Sequence, residues 1–313
     1  MSPRALFAPA SAGPPGSALV RPWLRIVRLV RYRFFLYAGL MPYLLGAAWA
    51  AALLRRFDAT LFWAALGGVA LAVVGVEAFN EYFDARLGSD RVFNVEDAPP
   101  MSAAVLWLGI GAFATALAVG AYLTARVGWP VLAFALLGGL AAVFYAAPPL
   151  RWAYRGLGEL VIGLSYGPWL VLGSAYLQTR RLSAAELLAS LVPGLLIMSL
   201  AVVNAIPDYH QDRLVGKRNL VVRLGRRRAV GLYLGLAAAG LIVVVAGVAA
   251  SIFPPQCLAA LLALPLWVLS ARRAARSYEQ PRRFAPAIRS IVLYYLLAVS
   301  LFIAGILTHR WHL

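Results

Sequence analysis

Long apolar runs broken by short polar loops dominate the chain from residue 34 onward. Nine can be counted, over about 34–54, 60–83, 103–124, 129–147, 157–179, 187–207, 229–252, 256–271 and 288–308. Most exceed the roughly 18 residues that a helix needs to cross the hydrocarbon core of a bilayer. The eighth is the shortest and contains Pro265, so the pattern defines it least. This alternation predicts an all-α, polytopic membrane protein of about nine transmembrane helices.

Ahead of the first run, residues 1–20 are rich in Ala, Pro, Gly and Ser and read as a disordered tail without the apolar core of a signal peptide. Residues 21–313 read as one integral-membrane domain. Arg21 to Arg33 holds five arginines with Trp23 and Tyr32, which suits a membrane-surface segment or a basic flank that sets orientation.

The loops carry a strong charge asymmetry. With the nine spans alternating in direction, 23 of the 29 Lys and Arg residues fall on the side of the N-terminus and 6 on the other. Cytoplasmic loops are the ones enriched in Lys and Arg, so the N-terminus and the basic loops are expected inside the cell. A multi-pass protein of the cell (inner) membrane follows. The acidic residues bunch on that same face, with only Asp58 and Glu186 opposite. Acidic groups contribute little to orientation, so their placement points to a site.

Composition agrees. The chain is 62% hydrophobic and 13% charged, against about 25% charged in soluble domains. The net charge of +17 resides in loop arginines and is not a nucleic-acid face. Cys257 is the single cysteine, so neither an internal disulfide nor a cysteine metal cluster is expected, and three histidines, His210, His309 and His312, make a histidine-rich metal site improbable.

Two polar clusters close apolar runs. On a helix, Glu77, Asn80, Glu81 and Asp84 share one face, and Gly88 gives the chain freedom to bring Asp90 back toward Asp84. Farther along, Asn204, Asp208 and Asp212 repeat the spacing at i, i+4 and i+8. Pro207 kinks or breaks that span just before Asp208. Carboxylates at membrane helix ends are rare unless paired, solvated or metal-bound. Mg²⁺ takes oxygen ligands, commonly one or two carboxylates with substrate phosphates and water. Lys217 and Arg218 follow after Gly216 and supply cations for an anion that a metal leaves partly uncovered. The two clusters read as halves of a divalent-metal and diphosphate site.

Both stretches resemble the two aspartate-rich motifs of the UbiA superfamily of intramembrane prenyltransferases. The first, Asn80-Glu81-x2-Asp84-x3-Gly88-x-Asp90, has Glu81 where the family pattern usually has Asp. The second, Asp208-x3-Asp212-Arg213-x2-Gly216-Lys217 running on to Val222-Arg223-Leu224-Gly225, looks most like the branch that prenylates 1,4-dihydroxy-2-naphthoate in menaquinone synthesis. A third loop, Tyr145 to Arg151 and on to Glu159, resembles the stretch where the family places a tyrosine and a basic residue on the diphosphate. Tyr145 and Arg151 fit those roles best, with Arg155 second, although the spacing is longer than the commonest form.

The resemblance implies nine helices around a central cavity open to the cytoplasmic side, with Mg²⁺ as cofactor and a polyprenyl diphosphate and an aromatic acceptor as substrates. It implies metal ligands among Asn80, Glu81, Asp84, Asp90, Asn204, Asp208 and Asp212. Arg151, Arg155, Lys217, Arg218 and Tyr145 would hold the diphosphate, and Asp84, Asp208, Tyr145 and Lys217 would be catalytic. The acceptor is expected to be 1,4-dihydroxy-2-naphthoate or a related quinone precursor. A 4-hydroxybenzoate, homogentisate, porphyrin or lipid-glycerol acceptor stands as an alternative. No nucleic acid and no obligatory protein partner are expected. The reading from another class is a cation-coupled transporter, which would place its acids near the bilayer midplane with a pathway on the opposite face.

Overall fold

A helix that faces lipid has no water to satisfy its backbone, so each apolar run must complete its own hydrogen bonds. In the computed structural model the described apolar runs are helical. It describes residues 39–54, 57–87 and 102–308, the side chains of 84–87 excepted. The N-terminal tail, the Arg21 to Arg33 segment and the start of the first apolar run lie outside the described residues. Eight described helices are long and apolar enough to cross a membrane, and a shorter apolar helix, α1 (Met41–Leu53), stands where the first run was expected.

The others follow in order. They are α2 (Ala59–Leu87), α3 (Ala103–Val127), α4 (Trp129–Ala146), α5 (Gly158–Thr179) and α6 (Ala184–Ala205). Two short helices, α7 (Tyr209–Leu214) and α8 (Leu220–Leu224), occupy the loop before α9 (Arg226–Ala249), α10 (Pro255–Ser277) and α11 (Pro281–Leu307).

Local chemistry sets several boundaries. Ser183 and Glu186 form a reciprocal capping box that starts α6 three residues ahead of the apolar run. Pro207 lies just past its other end, where the helix stops at Ala205. Gly128, at φ 133°, allows the tight turn that folds α4 back along α3. The doubtful eighth span is indeed irregular: 3₁₀ turns run over Pro255–Ala263, and only Leu264–Ser277 is α-helical. The last helix begins seven residues before its apolar run, because Pro281 is tolerated in a first turn and the pattern cannot register polar turns beyond the bilayer.

Packing is tightest around α6, which contacts α5, α9 and α11. There the backbones of α5 and α6 approach so closely that a Cβ on Gly167 would lie 2.6 Å from the Gly194 Cα. Small residues permit such contact, on which membrane helix packing relies in the absence of a hydrophobic drive between helices. Pro168 lacks the N–H for a regular turn, and α5 passes through a π-helical turn at Ser165–Trp169. Buried hydroxyls tie the other helices together. Tyr294 Oη donates to the Ala237 carbonyl (2.7 Å), Ser270 Oγ to that of Ala287 (2.9 Å), and Ser199 Oγ to that of Tyr233 (2.8 Å).

The outer surface is apolar. Trp63, Trp107 and Trp129 are 65%, 68% and 75% exposed, beside exposed Leu136, Leu140, Ile242 and Leu262. Such patches are a liability in water and ordinary against lipid.

Candidate active site

The described parts of the three motif stretches lie at one end of the bundle. Along the α2–α3 contact, Gly109 faces Phe79, Phe113 faces Gly75, and Val119 faces Gly68, so the two helices are antiparallel. The Gly128 turn then returns α4 to the level where α2 ends, placing Tyr145 at the same end as Asn80 and Glu81. Hydrogen bonds join the loop after α4 to the loop after α6. Arg218 N donates to the Tyr154 carbonyl (3.1 Å) and Arg223 Nη2 to the Arg155 carbonyl (2.6 Å).

From the first motif, Asn80 and Glu81 sit half-buried on the last described turns of α2. The Asn80 Oδ1 is buried and accepts no hydrogen bond among the described residues. Asp84 continues the same helix, but its side chain and the whole of Asp90 lie outside the described residues.

The second motif is fully described, and its acids differ. Asn204, on the last turn of α6, and Asp208, in the break before α7, are exposed. Asp212 is only 6% exposed. Its Oδ2 accepts from Asn219 Nδ2 at 2.6 Å, and its Oδ1 lies 3.5 Å from Lys217 Nζ. The Lys217 backbone N–H also donates to the Asp212 carbonyl at 2.8 Å, while the ammonium stands 5.7 Å from the Tyr154 ring centre. The same loop thus holds one carboxylate exposed to solvent and one buried against the lysine.

In the third stretch, Tyr145 is half-buried and its ring packs on Gly158. Arg151 adopts a left-handed backbone conformation (φ 44°), and its buried Nε has no hydrogen-bond partner among the described residues. The guanidinium of Arg155 turns back to the Pro149 carbonyl at 3.0 Å. Gly156 (φ 76°) leaves room for Arg223, whose side chain would collide with any Cβ there. Arg218 is exposed, and its own carbonyl accepts from Arg223 Nε at 2.8 Å.

Two residues without an assigned role prove central. Glu159, 4% exposed at the start of α5, accepts the Leu220 N–H on Oε1 at 2.9 Å, whereas Oε2 is buried without a hydrogen-bond partner among the described residues. Asn219 caps α8 by accepting from Val222 N at 2.8 Å while it donates to Asp212. An acid on the first turn of a membrane span and an Asn before an apolar stretch were the signals that could have found them.

No group of three or more His, Cys, Asp or Glu residues that could hold a metal occurs among the described residues. Oxygen donors are nonetheless present in a chemically suitable set. Asn80 Oδ1 is an unclaimed acceptor, Asn204 and Asp208 are exposed, and these hard oxygens fit Mg²⁺. The unclaimed Arg151 Nε, and Lys217 beside Asp212, offer the opposite polarity, suited to phosphate oxygens.

Comparison with known proteins gives this arrangement a context. The model of the UbiA prenyltransferase family matches residues 39–297. A 1,4-dihydroxy-2-naphthoate octaprenyltransferase of Mycobacterium tuberculosis is 33% identical over 276 residues, covering 84% of this chain and 88% of the relative. The enzyme of that name from Bacillus subtilis is 27% identical over 282 residues, covering 86% and 89%. Among solved structures, a UbiA homolog from Archaeoglobus fulgidus bound to GPP and Mg²⁺ superposes with a TM-score of 0.61 at 17% identity, covering 89% of this chain and 99% of that one. At that identity the likeness is one of fold.

Proposed function

The chain belongs to the UbiA prenyltransferase family and is a multi-pass membrane prenyltransferase, and we propose that it transfers a polyprenyl chain from its diphosphate to 1,4-dihydroxy-2-naphthoate with Mg²⁺ as cofactor. The cation-coupled transporter gives way to this family membership. The observation that carries the reading is the presence, at one end of the bundle, of a buried oxygen acceptor, Asn80 Oδ1, and a buried guanidinium nitrogen, Arg151 Nε, that no described residue satisfies. A metal diphosphate requires both. The acceptor rests on the second motif and on the naphthoate prenyltransferases that align over more than four-fifths of the chain.

In this reading Asn80, Asp84 and Asp90 from one side, and Asn204 and Asp208 from the other, hold the metal, with Glu81 and Asp212 as further ligands. Bound there, Mg²⁺ supplies positive charge to the diphosphate as it departs. Arg151 grips phosphate oxygens with its fork, Tyr145 donates a hydrogen bond, and Lys217 and Arg218 neutralise the remainder. Arg155, folded onto Pro149, is the reserve cation. These groups stabilise the leaving group as the allylic C–O bond breaks and charge develops. The apolar bundle excludes water from the allylic cation, which alkylates an electron-rich ring carbon, with loss of a proton or CO₂ afterwards. In this reading the end of the bundle that carries the motifs faces the cytoplasmic side of the cell membrane, which the excess of Lys and Arg in its loops supports.

The test is direct. Purified protein in detergent receives radiolabelled geranylgeranyl diphosphate, Mg²⁺ and separately 1,4-dihydroxy-2-naphthoate, 4-hydroxybenzoate, homogentisate, a porphyrin and a glycerol lipid. A labelled naphthoate product is expected. Product with another acceptor overturns the naphthoate assignment, and neither product nor diphosphate release overturns prenyl transfer on this panel.

A further inference from the structure

A buried carboxylate is costly in a membrane protein unless its charge serves a purpose. Glu159 meets that cost at the junction of two loops. It lies on the first turn of α5, where the positive end of the helix favours an anion, and its Oε1 accepts the N–H of Leu220. Leu220 is the first residue of α8, whose opening N–H groups have no partner within the helix. Asn219 satisfies Val222 N with Oδ1 and passes its Nδ2 to Asp212 Oδ2; Asp212 Oδ1 then faces Lys217 Nζ. A continuous chain of polar contacts therefore runs from Glu159 through α8 and Asn219 to Asp212 and Lys217.

We propose that Glu159 is a positioning residue for the diphosphate half of the site, fixing through Leu220 and Asn219 where Asp212 and Lys217 stand. The inference rests on the prenyl-transfer reading above. It separates Glu159 from a cap that only stabilises α8. A neutral cap would satisfy Leu220 equally and leave no buried oxygen without a partner. Glu159 touches neither substrate nor metal in this account. It acts on donor affinity.

The test measures binding as well as turnover. Geranyl S-thiolodiphosphate, which resists cleavage, is titrated calorimetrically with Mg²⁺ into wild type, Glu159→Ala, Glu159→Gln, Asn219→Ala and the double Ala variant. Steady-state KM values for donor and acceptor are measured beside them, with melting temperature as a fold control. Glu159→Ala is expected to weaken analogue binding and raise donor KM about tenfold, with acceptor KM unchanged. Glu159→Gln, which keeps an oxygen for Leu220 but loses the charge, is expected to recover only part of that loss, and full recovery reduces Glu159 to a neutral cap and overturns the inference. The double variant should be no weaker than the poorer single one, as for residues on one path. Wild-type donor affinity in Glu159→Ala overturns the inference, as do equal losses for donor and acceptor or fully additive losses in the double variant. A wild type that binds the analogue but transfers no prenyl group overturns the functional reading, while the titrations still decide the role of Glu159.

Discussion

The two ends of the bundle handle their polar groups in opposite ways. At the end away from the motifs, polar groups are used locally. Asp58 Oδ1 accepts from Leu61 N, and Gln178 both donates to the Asp58 carbonyl and accepts its N–H. Ser183 and Glu186 cap one another, and Arg180 Nη2 closes on the Arg126 carbonyl. At the motif end, Asn80 Oδ1, Arg151 Nε and Glu159 Oε2 are buried without hydrogen-bond partners among the described residues. Burying a polar atom without a partner costs on the order of 1–3 kcal/mol. Asn80 Oδ1 and Arg151 Nε are of opposite polarity, and the proposed metal diphosphate would give both a partner, whereas Glu159 belongs to the latch between the loops.

The comparison can be broken by experiments that treat the ends alike. The largest effect should come from removing metal: EDTA is expected to reduce prenyl transfer to background, and added Mg²⁺ to restore it, as followed by labelled product. Asp208→Ala should then lower kcat/KM by about 10²–10³-fold, the scale for losing a group that stabilises transition-state charge. Asp58→Ala, at the opposite end, should leave kcat/KM within about threefold while lowering thermal stability, in keeping with a helix-start cap. Equal losses in both variants would erase the distinction between the ends.

Smaller effects sharpen it. Arg151→Lys keeps the charge but loses the planar fork, so donor KM is expected to rise about tenfold, corresponding to ~1.4 kcal/mol, with acceptor KM unchanged. Ser183→Ala removes half of the capping box and should cost ~1 kcal/mol of stability, read as a lower melting temperature at undiminished kcat. A drop in kcat there would mean that the far end is coupled to the chemistry.

Much of the architecture was legible because the bilayer imposes it. A run of apolar residues long enough to span must become a helix, and loop arginines then orient it, so span order follows from composition along the chain. The motif residues were legible for a related reason, since acids at the ends of apolar helices stand out against their surroundings. Boundaries were harder where polar turns extend a helix past the membrane, as at Pro281, or where prolines tighten it, as over Pro255–Ala263. Spacing placed Asp208 and Asp212 on equal terms, yet one is exposed and the other is tied to Asn219 and Lys217.

The amino-acid sequence by itself therefore determined the fold class and the order of the spans. These depend on solvent preference and local periodicity, which each segment carries alone. Only the tertiary structure decided that Asp212 is buried while Asp208 is exposed, and that Glu159 latches two loops 61 residues apart. Those outcomes depend on which backbone N–H or side-chain oxygen another segment delivers within about 3 Å, a distance that no single stretch of sequence contains.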